Sequence, residues 1–173
     1  MKRLALLLLT ACGGSSVVPG EPPGPCEGAT DLPSAPEASG AGEHYRGTAC
    51  LLVDVDLLGR DACAGTLDLR VQDDVLSGIG ACRYIGLPGE RGLSDLLPND
   101  QYAEVIGELD GHTWAGFVTV HSSLGSYSWA WQGDWEGPGT AITGTVEGES
   151  LIDENGQGYS IFGEGTFEAW SIE

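Results

Sequence analysis

After Lys2 the chain contains no lysine, and from Gly92 to its last residue it contains no arginine either. Beyond the first three residues its cations are Arg46, Arg60, Arg70, Arg83 and Arg91, set against 26 Asp and Glu in 173 residues. Such a surface repels phosphates and anionic lipid head groups, which excludes nucleic acid as a partner class. It suits solubility, divalent cations or a basic protein partner. No apolar run approaches the roughly 20 residues that a membrane-spanning helix needs. There is no CxxC pair, and no cysteine has a histidine at zinc-finger spacing, so a zinc site is not expected. The only histidines are His44, His112 and His121. No Gly-x-Ser-x-Gly elbow accompanies them, and no carboxylate pair stands out among so many. A non-enzymatic protein without a cofactor is expected.

The N-terminus runs Met1-Lys2-Arg3-Leu4-Ala5-Leu6-Leu7-Leu8-Leu9-Thr10-Ala11-Cys12. Two basic residues, a short apolar stretch and then small-small-Cys resemble a bacterial lipoprotein signal, with Leu9–Cys12 matching the lipobox. The resemblance implies cleavage before Cys12 and acylation of that cysteine, with residues 1–11 as the signal peptide. Two or more acyl chains anchor a protein stably where one does not. The expected location is therefore the cell envelope, with the membrane as a partner through the N-terminal lipid. Gly13 lacks the Asp that resembles an inner-membrane retention signal, which favours the outer membrane. Removing residues 1–11 leaves five basic against 26 acidic residues, a formal charge of −21.

Residues 12–42 hold six of the nine prolines, with Gly, Ser and Ala filling most of the rest. Without apolar periodicity such a stretch cannot build a core, so it reads as a tether, on the order of 30 Å end to end. From residue 43 the character changes and holds. Short β-rich runs alternate with Gly-, Asp- or Asn-containing breaks, giving strands near 44–56, 61–71, 75–86, 101–109, 112–121, 126–136, 140–151 and 157–171. Asp-Gly and Asn-Gly between such runs are strong hairpin signals. The one long connection, 86–100, has room for a helical turn at Ser94–Leu97. Eight strands joined mainly by hairpins predict an all-β acidic domain over 43–173, a single antiparallel up-and-down barrel. A two-sheet sandwich is the alternative. The strand number resembles that of lipocalin and avidin barrels.

With Cys12 assigned to lipid, four cysteines remain, and an oxidising compartment makes them two disulfides in one of three connectivities. A turn at Asp73-Asp74 sets Cys63 opposite Tyr84, with Cys82 two residues away on the same face. Centring the first hairpin on Gly59-Arg60 puts Cys50 opposite Leu69, roughly 20 Å from Cys63. The favoured pairs are therefore Cys63–Cys82 and Cys26–Cys50, the latter stapling the tether to the first strand.

Alternation in Tyr127-Ser-Trp129-Ala-Trp131-Gln-Gly133-Asp-Trp135 puts Tyr127, Trp129, Trp131 and Trp135 on one face. That face is either packed core or the aromatic wall of a cavity for a small apolar ligand. In both cases Trp129 and Trp131 are expected to be the most buried of the five tryptophans, with Gly116 and Gly144 making room. Asp153, Asn155, Gln157, Gly158 and Glu164 partly match a calcium loop. Strand-like flanks favour a plain Asn155-Gly156 hairpin there, and no metal is expected. Finally, Ser77-Gly78-Ile79-Gly80-Ala81-Cys82-Arg83-Tyr84 resembles the Ser-Gly-x-x-Tyr loop of membrane-bound C-type lysozyme inhibitors, small lipoproteins with eight-stranded barrels. In this chain the tyrosine is displaced and the second Ser-Lys-Gly motif is absent. The resemblance implies inhibition of a basic secreted hydrolase such as a lysozyme, as the alternative to a binding or envelope structural module.

Overall fold

The computed structural model describes residues 24–90, 92–154 and 157–172. Leu9–Cys12 lies outside them, as do Asn155 and Gly156 at the centre of the calcium-like loop. Eight antiparallel strands close into an up-and-down barrel in the order β1 to β8. They are β1 (Glu43–Val55), β2 (Gly59–Gln72), β3 (Val75–Tyr84), β4 (Gln101–Asp110), β5 (Thr113–Ser122), β6 (Gly125–Trp135), β7 (Ile142–Glu154) and β8 (Gln157–Ile172). The barrel, not the sandwich, is the fold, and β1 pairs with β8 to remove both sheet edges.

Turn chemistry sets the hairpins. Gln72 lies opposite Val75, so Asp73 and Asp74 form a two-residue turn, and both have positive φ (50° and 63°). That geometry matches the twist of the flanking strands, and Asp tolerates it better than most residues. It puts Cys63 opposite Tyr84, as expected. The first hairpin differs. Val55 lies opposite Gly59, so the tip is Asp56-Leu57-Leu58 and not Gly59-Arg60. Gly59 does take positive φ, but as the first paired residue of β2, while Leu57 supplies the left-handed residue of the tip. Cys50 therefore faces Ala64 rather than Leu69, a shift of five residues.

Both expected disulfides are present, Cys26–Cys50 and Cys63–Cys82. Distance does not keep Cys50 from Cys63, contrary to expectation, because Cys63 pairs with Leu51, the neighbour of Cys50. What separates them is the period of two along a strand. Cys63 points into the barrel core, whereas Cys50 points outward with Ala62 and Ala64, onto Cys26.

That outward cluster marks a second departure. Residues 24–42, expected as free tether, are applied to the outer wall of β1 and β2. Beyond the disulfide, the Thr66 hydroxyl accepts from the Ala35 amide at 2.8 Å and donates to the Pro33 carbonyl at 2.7 Å. The Ala38 amide donates to Asp68 at 2.9 Å. This strap is held by a small apolar cluster, Cys26, Ala29 and Leu32 against Cys50, Leu52, Ala62 and Ala64, and by backbone polar groups that meet outward-facing Thr and Asp side chains.

The 85–100 connection closes one barrel end. Its short 3-10 helix, Leu93–Asp95, buries Leu93, and Leu97 follows it into the core. Asp61, fully buried, fixes this plug by accepting hydrogen bonds from the amides of Ala62, Gly86 and Ser94 at 2.8 to 2.9 Å.

Candidate functional site

The β6 alternation is as expected. Tyr127, Trp129 and Trp131 are buried and face inward, while Ser128, Ala130, Gln132 and Asp134 face solvent. Trp135, at the barrel end away from the plug, is only partly buried. The expectation that Trp129 and Trp131 are the most buried tryptophans is corrected by Trp114 on β5, fully enclosed and tilted against Trp135 at 5.6 Å. A lone inward tryptophan opposite Gly133 carried no pattern in the sequence to draw attention to it.

Glycines make the rings fit. A Cβ on Gly163 would lie 2.5 Å from the Trp129 ring, and one on Gly148 would lie 3.1 Å from it. Trp131 lies over Gly107, and Gly144 makes room for Phe167, which meets Trp131 edge-on at 5.4 Å. Gly116 serves another purpose, close approach to the backbone of Ile106 and Gly107. Both mid-strand indoles are anchored, Trp129 Nε1 donating to the Ile161 carbonyl at 3.3 Å and Trp131 Nε1 to the Ile106 carbonyl at 2.9 Å. The void left inside, bordered by Leu51, Leu69, Val105, Val118 and Trp131, has a volume of about 50 Å³. Pockets for small organic ligands run to roughly 300–1,000 Å³. The interior is a packed core, and eight strands suit that outcome.

Tyr84, Tyr127 and Asp61 gather at the plugged end. Burial, reinforced by the charge and hydrogen bond of Tyr127 and by Asp61, pushes the Tyr84 phenol far above its ordinary range. Burial also raises Tyr127. Both phenols are held neutral, and the Asp61 side chain is taken up by three backbone amides.

Ser77–Tyr84 is not a loop. It lies within β3, paired with β2 on one side and, through Cys82, with β4 on the other. Cys82 is in a disulfide and Tyr84 is buried, so the residues quoted for the inhibitor resemblance present no protrusion. The histidines are dispersed. His112 precedes β5 and His121 lies near its far end, about 30 Å away at strand rise. His121 meets Ser126 at 2.9 Å on the outer wall. His44 meets Asp68 at 2.7 Å beside the strap, where Arg46 also donates to Asp68 at 2.8 Å. Burial pulls the Asp68 carboxyl up, but the Ala38 amide, Arg46 and His44 together outweigh it and hold it below the usual carboxylate range.

The outer wall of β4 to β7 has the opposite character to the strapped side. All four arginines among the described residues are in ion pairs, with Asp68, Glu164, Glu37 and Asp100. None lies on β4, β5, β6 or β7, where Glu104, Glu108, Asp134, Glu147 and Glu149 are exposed. Among these carboxylates stand Ile106 and Phe117, directly opposite each other and each 55% exposed, with Ala130 next to Phe117 and Tyr102 further along β4. Beside Phe117 the wall dips into a shallow depression lined by Ala115, Ala130, Gln132, Thr145 and Glu147. Sequence reasoning missed this patch. The available signal was phase: Ile106 occupies the polar phase of Glu104-Val-Ile-Gly-Glu108, and Phe117 that of Ala115-Gly-Phe-Val-Thr119.

No protein-family model matches the chain, and no curated protein matches it in sequence.

Proposed function

We propose that this chain is a lipid-anchored, extracytoplasmic, non-enzymatic binding module that works through its outer wall, not through a ligand held inside the barrel. The observation that carries the reading is the filled interior. The aromatic residues that would line a cavity are packed against glycines, leaving about 50 Å³. Two disulfides support an oxidising compartment, and the Leu9–Cys12 lipobox supports attachment to the envelope, at the outer membrane. Strong acidity supports a basic protein as partner. A basic hydrolase belongs to that class, but Ser77–Tyr84 is not the element that would engage it.

Two measurements test this reading. Cys12→Ser should leave the signal uncut or release the protein from membranes; a variant that fractionates and migrates like wild type overturns the anchor. A neutral apolar fluorophore added to the protein should gain no emission and draw no energy transfer from the tryptophans. Saturable one-to-one uptake quenching Trp131 would overturn the filled-barrel reading.

A further inference from the structure

We infer that the wall centred on Ile106 and Phe117 is a docking surface for a cationic polypeptide that presents an apolar side chain among arginines or lysines. The inference rests on the binding-module reading and specifies its surface and partner. Three observations converge on it.

The first is chemical. Ile106 and Phe117 are exposed side by side, and large side chains exposed together are kept for contact more often than isolated ones. The depression beside Phe117 has a floor of Ala115 and Ala130, an aromatic ring at one side and the Glu147 carboxylate on its lining. An aromatic face plus a carboxylate is the recognition chemistry of a guanidinium or ammonium head on an aliphatic stem.

The second is electrostatic. Glu104 and Glu108 flank Ile106 on its own strand, with Asp134 and Glu147 beyond Phe117, and β4 to β7 carry no lysine or arginine. Against this frame a second copy of the chain would bring carboxylate to carboxylate, and an anionic membrane would be repelled. A basic partner gains both in encounter rate and in bound-state complementarity.

The third is placement. Cys26 is bonded to Cys50 on β1, and Gly24 and Pro25 border a hollow lined by Cys50 and Leu52 of β1, Glu164 and Thr166 of β8, and Thr145 and Glu147 of β7. In a closed ring of eight, β4 and β5 lie across the barrel from β8 and β1. The Ile106–Phe117 pair thus lies across the ring from Gly24, with the Glu147 edge of the depression between the two.

The test uses the full-length lipidated protein in uncharged phosphatidylcholine nanodiscs. Its probes are two labelled dodecapeptides, one alternating arginine with leucine and one alternating arginine with serine, followed by anisotropy. The arginine–leucine peptide should bind, and the arginine–serine peptide at least tenfold more weakly. Ile106→Ser combined with Phe117→Ser should weaken the first peptide at least tenfold, with an unchanged far-UV spectrum. Glu104→Gln combined with Glu108→Gln should weaken it and flatten its salt dependence. Equal binding of both peptides, or equal binding by the Ile106→Ser/Phe117→Ser variant, overturns this surface while leaving the broader reading standing. Absence of binding by wild type overturns the cationic partner. The broader reading fails through its own tests, unchanged fractionation of Cys12→Ser or uptake of an apolar ligand into the barrel.

Discussion

Adding one methyl group at Gly163 is the sharpest test of how this barrel is filled. An ideal Cβ there lies 2.5 to 2.6 Å from Cε2, Cδ2 and Cζ2 of Trp129. Carbon atoms rest at about 3.5–4.0 Å, so the ring must retreat by roughly 1 Å. It has nowhere to go. Tyr127 stands with its ring 5.0 Å away, and Nε1 is tied to the Ile161 carbonyl. Overpacking of this kind costs about 1–3 kcal/mol. With a rigid ring as the obstacle, the upper part of that range applies, a Tm loss of about 10 °C for a barrel of this length. Gly80→Ala is the control. It is also inward-facing, but its Cβ would approach most closely the end of the Leu67 side chain, Cδ2 at 3.1 Å, and it borders the residual void. It should change stability by less than about 0.5 kcal/mol. Guanidinium unfolding followed by far-UV circular dichroism, with disulfides intact, measures both. Adding Trp129→Phe closes a double-mutant cycle. The smaller ring should accept the methyl, giving a coupling of about 1–2 kcal/mol that favours the double variant. Equal losses at Gly163 and Gly80, or an additive cycle, would refute the account of ring-on-glycine packing.

Trp131→Ala should cost about 3–5 kcal/mol, because the ring is buried core; a loss below about 2 kcal/mol in the same unfolding assay would mean the ring lines open space. Asp61→Ala strands three amide donors at the plugged end and should cost about 3 kcal/mol, while speeding hydrogen exchange at Gly86 and Ser94 ahead of the β5 and β6 amides. Asp68 has its folded carboxyl held below the unfolded value near 3.9, so its contribution is full above that pH and is lost as pH falls through the lower folded value. Acid should therefore release the strap first, read as faster exchange at the Ala38 amide below about pH 4, and Asp68→Asn should remove that pH dependence.

The strand order, the inward phase of β6 and the pairing of β2 with β3 were legible because each rests on a local rule. Period-two alternation fixes which side of β6 is buried. Two acidic residues between apolar runs fix a tight turn and, with it, Cys63 against Tyr84. The interior's true filling was less legible. That three tryptophans fit depends on which glycine faces which ring two strands away, and Gly163 and Gly107 are 34 and 24 residues from the indoles they accommodate. Barrel closure creates those neighbours, and no short-range pattern encodes them.

The strap and the disulfides show how a right pairing can rest on a wrong distance. Centring the first hairpin on Gly59 assigned the turn to the residue with the freest backbone, yet Leu57 takes the left-handed position and Gly59 begins the ladder. With the register moved by five, Cys50 and Cys63 become diagonal neighbours, and distance along the strand no longer keeps them apart. Parity does, because a shift by an odd number moves Cys50 from the face of Cys63 to the opposite one. The outward cysteine needs an outward partner, so some chain must lie on the outside of β1, and Cys26 brings it there. Its polar holdfasts, Thr66 and Asp68, sit in the solvent phase of β2, where a sequence reader assigns them to water. A segment too polar to build a core of its own is thus fixed by a disulfide, a small apolar cluster around it and backbone hydrogen bonds, and the covered side of the barrel is set opposite the bare anionic wall.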